Sequence, residues 1–283
     1  MTVSVLKWGQ HNLDLEARPR IMGIVNITPD SFSDGGDYFD PETAVAHGLA
    51  MVEEGADILD VGGESTRPGA EPVGEGDEKA RVLPVIRSLA EKVSVPISVD
   101  TYKSSIAAAA IEAGASMIND ISAGRFDPAI FDVAARTGVP MVLMHMRGVP
   151  RSMQARPVYD DLVSEVKTFL HEAAGRAEAA GVAPDRIILD PGIGFGKTFG
   201  HNWTLIKRLR ELVEMGYPML VGPSRKAFLG YLLGGAPPKA RDSATAAVVA
   251  LAAYLGAHFI RTHNVQLARE TLTVVRAVMK ADD

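Results

Sequence analysis

Eight short apolar runs recur along the chain, nearly all ending on or beside a polar residue and followed by a stretch with helical periodicity. They are Ile21 to Asn26, Ile58 to Val61, Ile97 to Asp100, Met117 to Asn119, Met141 to His145, Ile187 to Asp190, Met219 to Val221 and Phe259 to Thr262. Near-continuous apolarity over so few residues is what parallel strands covered on both faces require. Alternation with helices leaves few architectures, and strands that end in chemistry point to a barrel with its active site on the carboxyl-end rim. The pattern predicts an α/β protein, a (β/α)8 TIM barrel with an N-terminal β-hairpin, as one domain over residues 1–283. A chain of 283 residues suits a fold that typically needs about 250.

The hairpin is read from Val3 and Val5 alternating with polar neighbours, a turn over Gly9 to Asn12, and Leu13 with Leu15 alternating again. It is expected to plug the far end of the barrel. Between the strands, Leu162, Val166, Phe169, Leu170 and Ala173 form one helical stripe, and Ala268, Leu272, Val275 and Met279 another. Gly55, Gly114 and Gly256 sit at helix-to-strand junctions, where glycine takes the left-handed cap conformation. Pro84 lies inside a helical pattern and marks either a kink or a helix start. Ile27 to Asp40 and Gly62 to Gly76 are long aperiodic connections of the kind that act as lids.

A formal charge of -6 argues against nucleic acid or an anionic membrane as partner. Zero cysteines exclude disulfides and thiolate chemistry and suit a reducing compartment. The amino terminus lacks a signal-peptide pattern and no apolar stretch reaches membrane-span length, so a cytoplasmic location is expected.

The polar residues at or just beyond the strand ends are Asn26, Glu64, Asp100, Asn119, Asp190, Lys226, Arg261 and His263. Strand alternation puts Arg261 and His263 on one face, so two cationic donors are expected to converge. Asp100, Asn119 and Asp190 supply acceptors and donors suited to a flat heterocycle with amino and lactam groups. Each alone has an ordinary alternative, since strand-terminal Asp and Asn often cap the next helix. Ser224, Arg225 and Lys226 follow the seventh strand at a helix start, and Arg67 adds a cation, so an anionic group is expected at this rim.

The string Gly192 to Thr198 lacks the spacing of a nucleotide-triphosphate loop, though Phe195 within it offers an aromatic face or a loop anchor. His258 and His263 fall on opposite strand faces, which argues against zinc. A Mg²⁺ ion held by ligand phosphates, water and one protein oxygen such as Asn26 is compatible with the pattern. His145 is read as a hydrogen-bonded supporting residue rather than a catalyst.

The segments Asn26-Ile27-Thr28-Pro29-Asp30-Ser31-Phe32-Ser33-Asp34-Gly35-Gly36 and Gly62-Gly63-Glu64-Ser65-Thr66-Arg67-Pro68-Gly69 closely resemble two rim loops of the dihydropteroate synthases. The resemblance continues in order through Asp100-Thr101, Asn119-Asp120, Asp190-Pro191-Gly192, Ser224-Arg225-Lys226 and Arg261-Thr262-His263, from about Met22 onward. It implies the joining of 6-hydroxymethyl-7,8-dihydropterin diphosphate to 4-aminobenzoate, giving 7,8-dihydropteroate and diphosphate. It also implies that Asp100, Asn119, Asp190 and Lys226 hold the pterin, and that Asn26, Thr66, Arg261 and His263 hold the diphosphate with Mg²⁺ near Asn26. Met144, Phe195, Gly222, Ser224 and Arg225 complete the implied substrate contacts. Phe32, Asp34, Ser65, Thr66, Arg67 and Pro68 would build a closed lid, with Asp34, Arg67, Lys226, Arg261 and His263 as the catalytic set and Asp34 facing a pterin methylene cation.

Two positions depart from the family pattern. Ala227 replaces a serine that helps receive the aminobenzoate carboxylate, and Asn264 replaces an aspartate, which is expected to alter how His263 is oriented. The resemblance also implies a homodimer. The rival readings are a pterin-binding methyltransferase barrel, against which the lid sequences argue, and a non-catalytic pterin-binding paralogue.

Overall fold

Alternate residues of a strand face opposite ways, so eight parallel strands closed into a cylinder sort their side chains into an inner set and an outer set. In the computed structural model, which describes residues 4–27, 40–67 and 69–281, that sorting governs the molecule. The strands are β3 (Arg20–Asn26), β4 (Ile58–Gly62), β5 (Ile97–Asp100), β6 (Met117–Asp120), β7 (Met141–Met144), β8 (Ile187–Asp190), β9 (Leu220–Val221) and β10 (Phe259–Thr262). They pair in the order β8-β7-β6-β5-β4-β3-β10-β9, and a parallel bridge between Leu189 and Met219 closes the cylinder.

The outer set, including Val25, Leu59, Val61, Val99, Ile118, Leu143, Leu189 and Ile260, packs with the helices in one continuous core. Those helices are α1 (Pro41–Glu54), α2 (Glu75–Ala90), α3 (Ser104–Glu112), α4 (Ile130–Thr137), α5 (Leu162–Ala179), α6 (Phe199–Lys207), α7 (Leu209–Val213), α8 (Ala227–Leu232), α9 (Asp242–Tyr254) and α10 (Val265–Met279). Gly55 ends α1 at φ 106, where its N–H reaches back to Met51 and Val52, as the repeated junction glycine led one to expect. Pro84 lies in the interior of α2, which runs on through it, so it does not begin a helix. The α10 stripe is shorter than its periodicity suggested: Ala268 and Leu272 are buried and Val275 partly so, whereas Met279 is 59 % exposed.

The inner set begins with Met22, Ile58, Met117, Val142, Ile188, Leu220 and Phe259, which form a second apolar cluster with Leu6, Trp8, Leu13 and Leu15. The latter four come from the hairpin of β1 (Val5–Trp8) and β2 (His11–Asp14), and so it plugs the amino-end mouth. Its turn is tighter than the sequence suggested, because Trp8 pairs with His11 and only Gly9 and Gln10 lie between the strands. The buried face also differs. Val5 is exposed while Leu6 and Trp8 are buried, and the Trp8 indole N–H donates to the Ser116 carbonyl at 2.7 Å. Val3 lies outside the described residues. Among the described residues no helix is long and apolar enough to cross a membrane.

Candidate active site

Two residues above the apolar floor, strand parity brings a polar layer into the cylinder: Asp60, Ser98, Asn119, Asp190 and Arg261, with Met144 and Gly222 on the same inner face. Asp100 and Asn26 end their strands one step higher. The Arg261 guanidinium ties this layer together, donating from Nε to Asp60 Oδ2 at 2.6 Å and from Nη2 to Asp100 Oδ2 at 2.7 Å. Asp60 Oδ2 also accepts from Asn119 Nδ2 at 2.9 Å. A carboxylate can only accept, so Asp60 fixes which end of the Asn119 amide it meets and turns the carbonyl oxygen the other way. Burial pushes the Asp100 carboxyl up, against the pull of Arg261. Burial alone would lower Arg261, but Asp60 and Asp100 hold its guanidinium above its usual range.

Asp60 is absent from the sequence-derived candidates. It sits in the middle of an apolar run rather than at its end, and only its parity with Ile58 and Gly62 marks it as inward-facing.

Across the mouth, Asp190 accepts the Gly192 backbone N–H at 2.6 Å, and burial pushes its carboxyl up to about 6. The chain then turns so sharply that a Cβ on Gly192, at φ +66, would stand 1.9 Å from the His145 carbonyl oxygen. The glycine string is therefore a close backbone turn. It carries Phe195, whose ring centre lies 4.0 Å from the Lys226 ammonium. Desolvation, with Arg261 near, lowers Lys226 to about 8. Below the turn Lys197 is fully buried, with Nζ 3.0 Å from the Phe195 carbonyl and 2.9 Å from His145 Nδ1. Burial lowers Lys197 to about 7, and burial with the charge of Lys197 drops His145 to about 2. His145 is thus a neutral supporting ring that also packs edge-on against Phe169.

The expected pair of cations at Arg261 and His263 needs correction. Burial, followed by Arg261, Arg225, Lys226 and Arg67, lowers His263 to about 3, so it is neutral at physiological pH. The Ser224 hydroxyl accepts the His263 backbone N–H at 3.1 Å and lies 2.8 Å from Nδ1. His263 is a neutral ring beside one fixed cation.

Arg225, at φ 56, also differs from expectation. Its guanidinium is committed to Asp242 at the start of α9, at 2.7 and 2.8 Å, rather than turned toward the mouth. Asn264 does not touch His263: its Oδ1 caps α10 through Leu267 N at 3.0 Å, and its Nδ2 donates to Asp242 at 3.0 Å. Ala227 is simply the first residue of α8.

Asn26 pairs with Gly62 at the top of β3 and is half-buried. Ser65 and Thr66 are half-buried and Arg67 exposed in the connection after β4, close enough for Arg67 to help lower Lys226 and His263. Glu64, at the start of that connection, bonds to Lys103 and Tyr102. Phe32, Asp34 and Pro68 lie outside the described residues. Among the described residues no cluster of three or more His, Cys, Asp or Glu is arranged to hold a metal ion. The amide oxygen of Asn26 is a hard donor that fits a cation keeping most of its ligands from water and phosphate.

This mouth, which gathers carboxylate and amide acceptors with a guanidinium, an ammonium and a neutral imidazole, defines a barrel enzyme for a flat polar heterocycle bearing an anionic group. The family described as pterin binding enzyme matches residues 22–263. The dihydropteroate synthase of Mycobacterium leprae is 48% identical over 269 residues, covering 93% of this chain and 94% of its own length. The solved structure of the Xanthomonas albilineans dihydropteroate synthase with 4-aminobenzoic acid superposes with a TM-score of 0.93 at 47% identity, covering 99% of this chain and 100% of that one. The same organism's enzyme in complex with 7,8-dihydropteroate gives a TM-score of 0.88 at 45% identity, covering 98% of this chain and 100% of that one. The chain belongs to the dihydropteroate synthase family.

Proposed function

We infer that the chain condenses 6-hydroxymethyl-7,8-dihydropterin diphosphate with 4-aminobenzoate, releasing diphosphate and forming 7,8-dihydropteroate. The observation that carries this reading is the polar layer inside the barrel. Asp190 presents an acceptor for the amino and N–H edge of the ring, and Asn119 a carbonyl oxygen. Lys226, over Phe195, presents a donor to the ring's acceptor edge. The same mouth offers Arg261, His263, Thr66 and Arg67 to the diphosphate.

In this reading the bond between the pterin methylene and the diphosphate oxygen breaks first, and the electron pair leaves with diphosphate. The electron-rich dihydropterin ring supports the resulting methylene cation. The 4-aminobenzoate nitrogen then attacks it, and the new C–N bond is completed by loss of a proton from the aryl amine. No side-chain nucleophile is required. The residues of this chain orient the ring, stabilise the departing charge and exclude water. Phe32, Asp34, Ser65 and Pro68 are assigned to the enclosing loops and Asp34 to the cation. Met144, Gly222 and Ser224 are assigned to the walls, with Ala227 at the helix start near the aminobenzoate carboxylate. A magnesium ion beside Asn26 would neutralise part of the diphosphate charge.

A homodimer joined through the late helices is part of the proposal. Tyr231, Leu232, Leu251, Tyr254, Val274 and Val278 are exposed apolar side chains on α8, α9 and α10. A cytoplasmic site of action is part of the same proposal.

The reading is tested by incubating the purified protein with the pterin diphosphate, labelled 4-aminobenzoate and Mg²⁺. Labelled 7,8-dihydropteroate formed one-for-one with diphosphate supports it. Pterin binding without pteroate supports the non-catalytic reading, and methyl transfer to a corrinoid the methyltransferase one.

A further inference from the structure

We propose that Lys103, which lies outside the substrate pocket, is a positioning residue that clamps both ends of the loop carrying Ser65, Thr66 and Arg67, and so sets how well that loop serves the second substrate and the leaving group. The inference rests on the functional reading above.

The loop runs from residue 63 to residue 74, between β4 and α2, and its described residues form no helix or strand. Within it, one backbone bond joins Ala70 N to the Arg67 carbonyl at 3.0 Å, and one reaches outward from Gly69 N to the Pro150 carbonyl at 3.2 Å. At the first end Arg81 Nη1 donates to the Gly63 carbonyl at 2.8 Å. The two ends are tied to each other by the Lys103 ammonium, which donates to Glu64 Oε2 at 2.6 Å, to the Val73 carbonyl at 2.7 Å and to Glu78 Oε2 at 2.5 Å. Glu64 is the residue before Ser65, and Val73 stands near the far end, so one side chain ties the loop's two roots. Glu64 repeats the connection from its own side, accepting from Val73 N at 3.1 Å and from the Tyr102 hydroxyl at 3.0 Å.

An ammonium has three N–H donors, and all three are engaged here. The third, on fully buried Glu78 of α2, fixes the clamp to the barrel's outer wall. Burial disfavours the charged lysine, but the bonds to Glu64 and Glu78 overcome it and hold Lys103 above its ordinary range. The clamp therefore keeps its charge throughout the physiological range. Side chains on a clamped loop meet their ligand in a narrow set of positions, and loosening the roots lowers that effective concentration without touching the pterin walls.

The test is steady-state kinetics on Lys103→Met, Lys103→Arg and Tyr102→Phe, with the affinity for 6-hydroxymethyl-7,8-dihydropterin, which lacks diphosphate, measured in parallel. Lys103→Met is expected to raise the KM for 4-aminobenzoate at least about tenfold and lower kcat, with pterin affinity within about twofold of the unaltered protein. Lys103→Arg, which keeps the charge, is expected to recover part of the loss. Should Lys103→Met fail to fold, Tyr102→Phe, which removes one bond to Glu64 and strands no charge, is expected to raise the same KM about threefold. A merely structural role would lower Tm and the folded fraction while leaving the KM of the folded enzyme unchanged. An unchanged KM for 4-aminobenzoate in whichever variants fold, or pterin affinity falling in step with it, overturns the proposal. If the unaltered protein makes no dihydropteroate, the functional reading fails instead, and the two failures are distinct.

Discussion

Arg261 Nε donates to Asp60 Oδ2 at 2.6 Å across the barrel interior, joining β10 to β4, and Asp60 has no exposed surface at all. The pair decides how the pocket is presented. It holds the guanidinium so that its remaining N–H groups have no partner among the described residues, and it turns the Asn119 amide by accepting its N–H. Removing one partner of a buried ion pair leaves an uncompensated charge in low dielectric, which costs about 3 to 5 kcal/mol. Arg261→Ala, which strands Asp60 and Asp100, is expected to lower unfolding stability by that order, and Asp60→Asn, which leaves Arg261 its Asp100 partner, by less, as read by chemical denaturation. A loss below about 1 kcal/mol in both would show that the pair is not the link described here.

The pH dependence of pterin binding follows from the two walls. Asp190 must be ionised to accept ring donors, and its carboxyl is pushed up by burial to about 6. Affinity is therefore expected to rise with pH up to about 6 and to flatten above it. Asp100, pushed up by burial to about 7 against the pull of Arg261, carries a shallower rise on to that pH. Lys226, lowered by desolvation to about 8, loses its proton above that value, so affinity is expected to fall again on the alkaline side. Isothermal titration across pH 5 to 9 checks this, and Asp190→Asn should make the acid limb shallower (~tenfold per pH unit for a single required ionisation).

Gly192 allows the turn beneath the ring site. At φ +66, with an added Cβ 1.9 Å from the His145 carbonyl oxygen, alanine would meet both a left-handed backbone and a backbone clash. Gly192→Ala is expected to cost about 3 kcal/mol of stability and to disturb the N–H that Asp190 accepts. Thermal denaturation and pterin titration read the two effects separately.

The hairpin plug stabilises the barrel from the end opposite the chemistry. Trp8 is buried in the floor cluster and bonds to the Ser116 carbonyl. Trp8→Ala is expected to destabilise by about 3 to 5 kcal/mol while leaving kcat/KM of the folded protein within about twofold. A large loss of kcat/KM at unchanged stability would contradict that separation of ends.

Strand parity made much of this legible in the sequence. It placed Asp100 with Ser98 and Asp190 with Ile188 on the inner face, and closing the cylinder brings those tips together. What it could not supply was the effect of neighbours distant in the chain. His263 has an ordinary imidazole in the sequence, and only the fold buries it and gathers Arg261, Arg225, Lys226 and Arg67 around it, which keeps it neutral. Arg225 was legible as a cation near the rim, but its partner Asp242 lies beyond α8. Lys197 was overlooked because its glycine string failed as a phosphate loop, whereas its role is to sit buried beneath Phe195 and beside His145. Val5 shows the limit of alternation in a four-residue strand: both phases hold an apolar residue, and packing on the floor selected Leu6 and Trp8.

The central claim divides one mouth into a wall that reads the ring and a wall that takes the shed anion. It is tested most directly by titrating Asp190→Asn with 6-hydroxymethyl-7,8-dihydropterin and, separately, with inorganic diphosphate. The account expects ring affinity to fall at least about tenfold and diphosphate affinity to stay within about twofold. Equal losses for both ligands, or a loss confined to diphosphate, would contradict it.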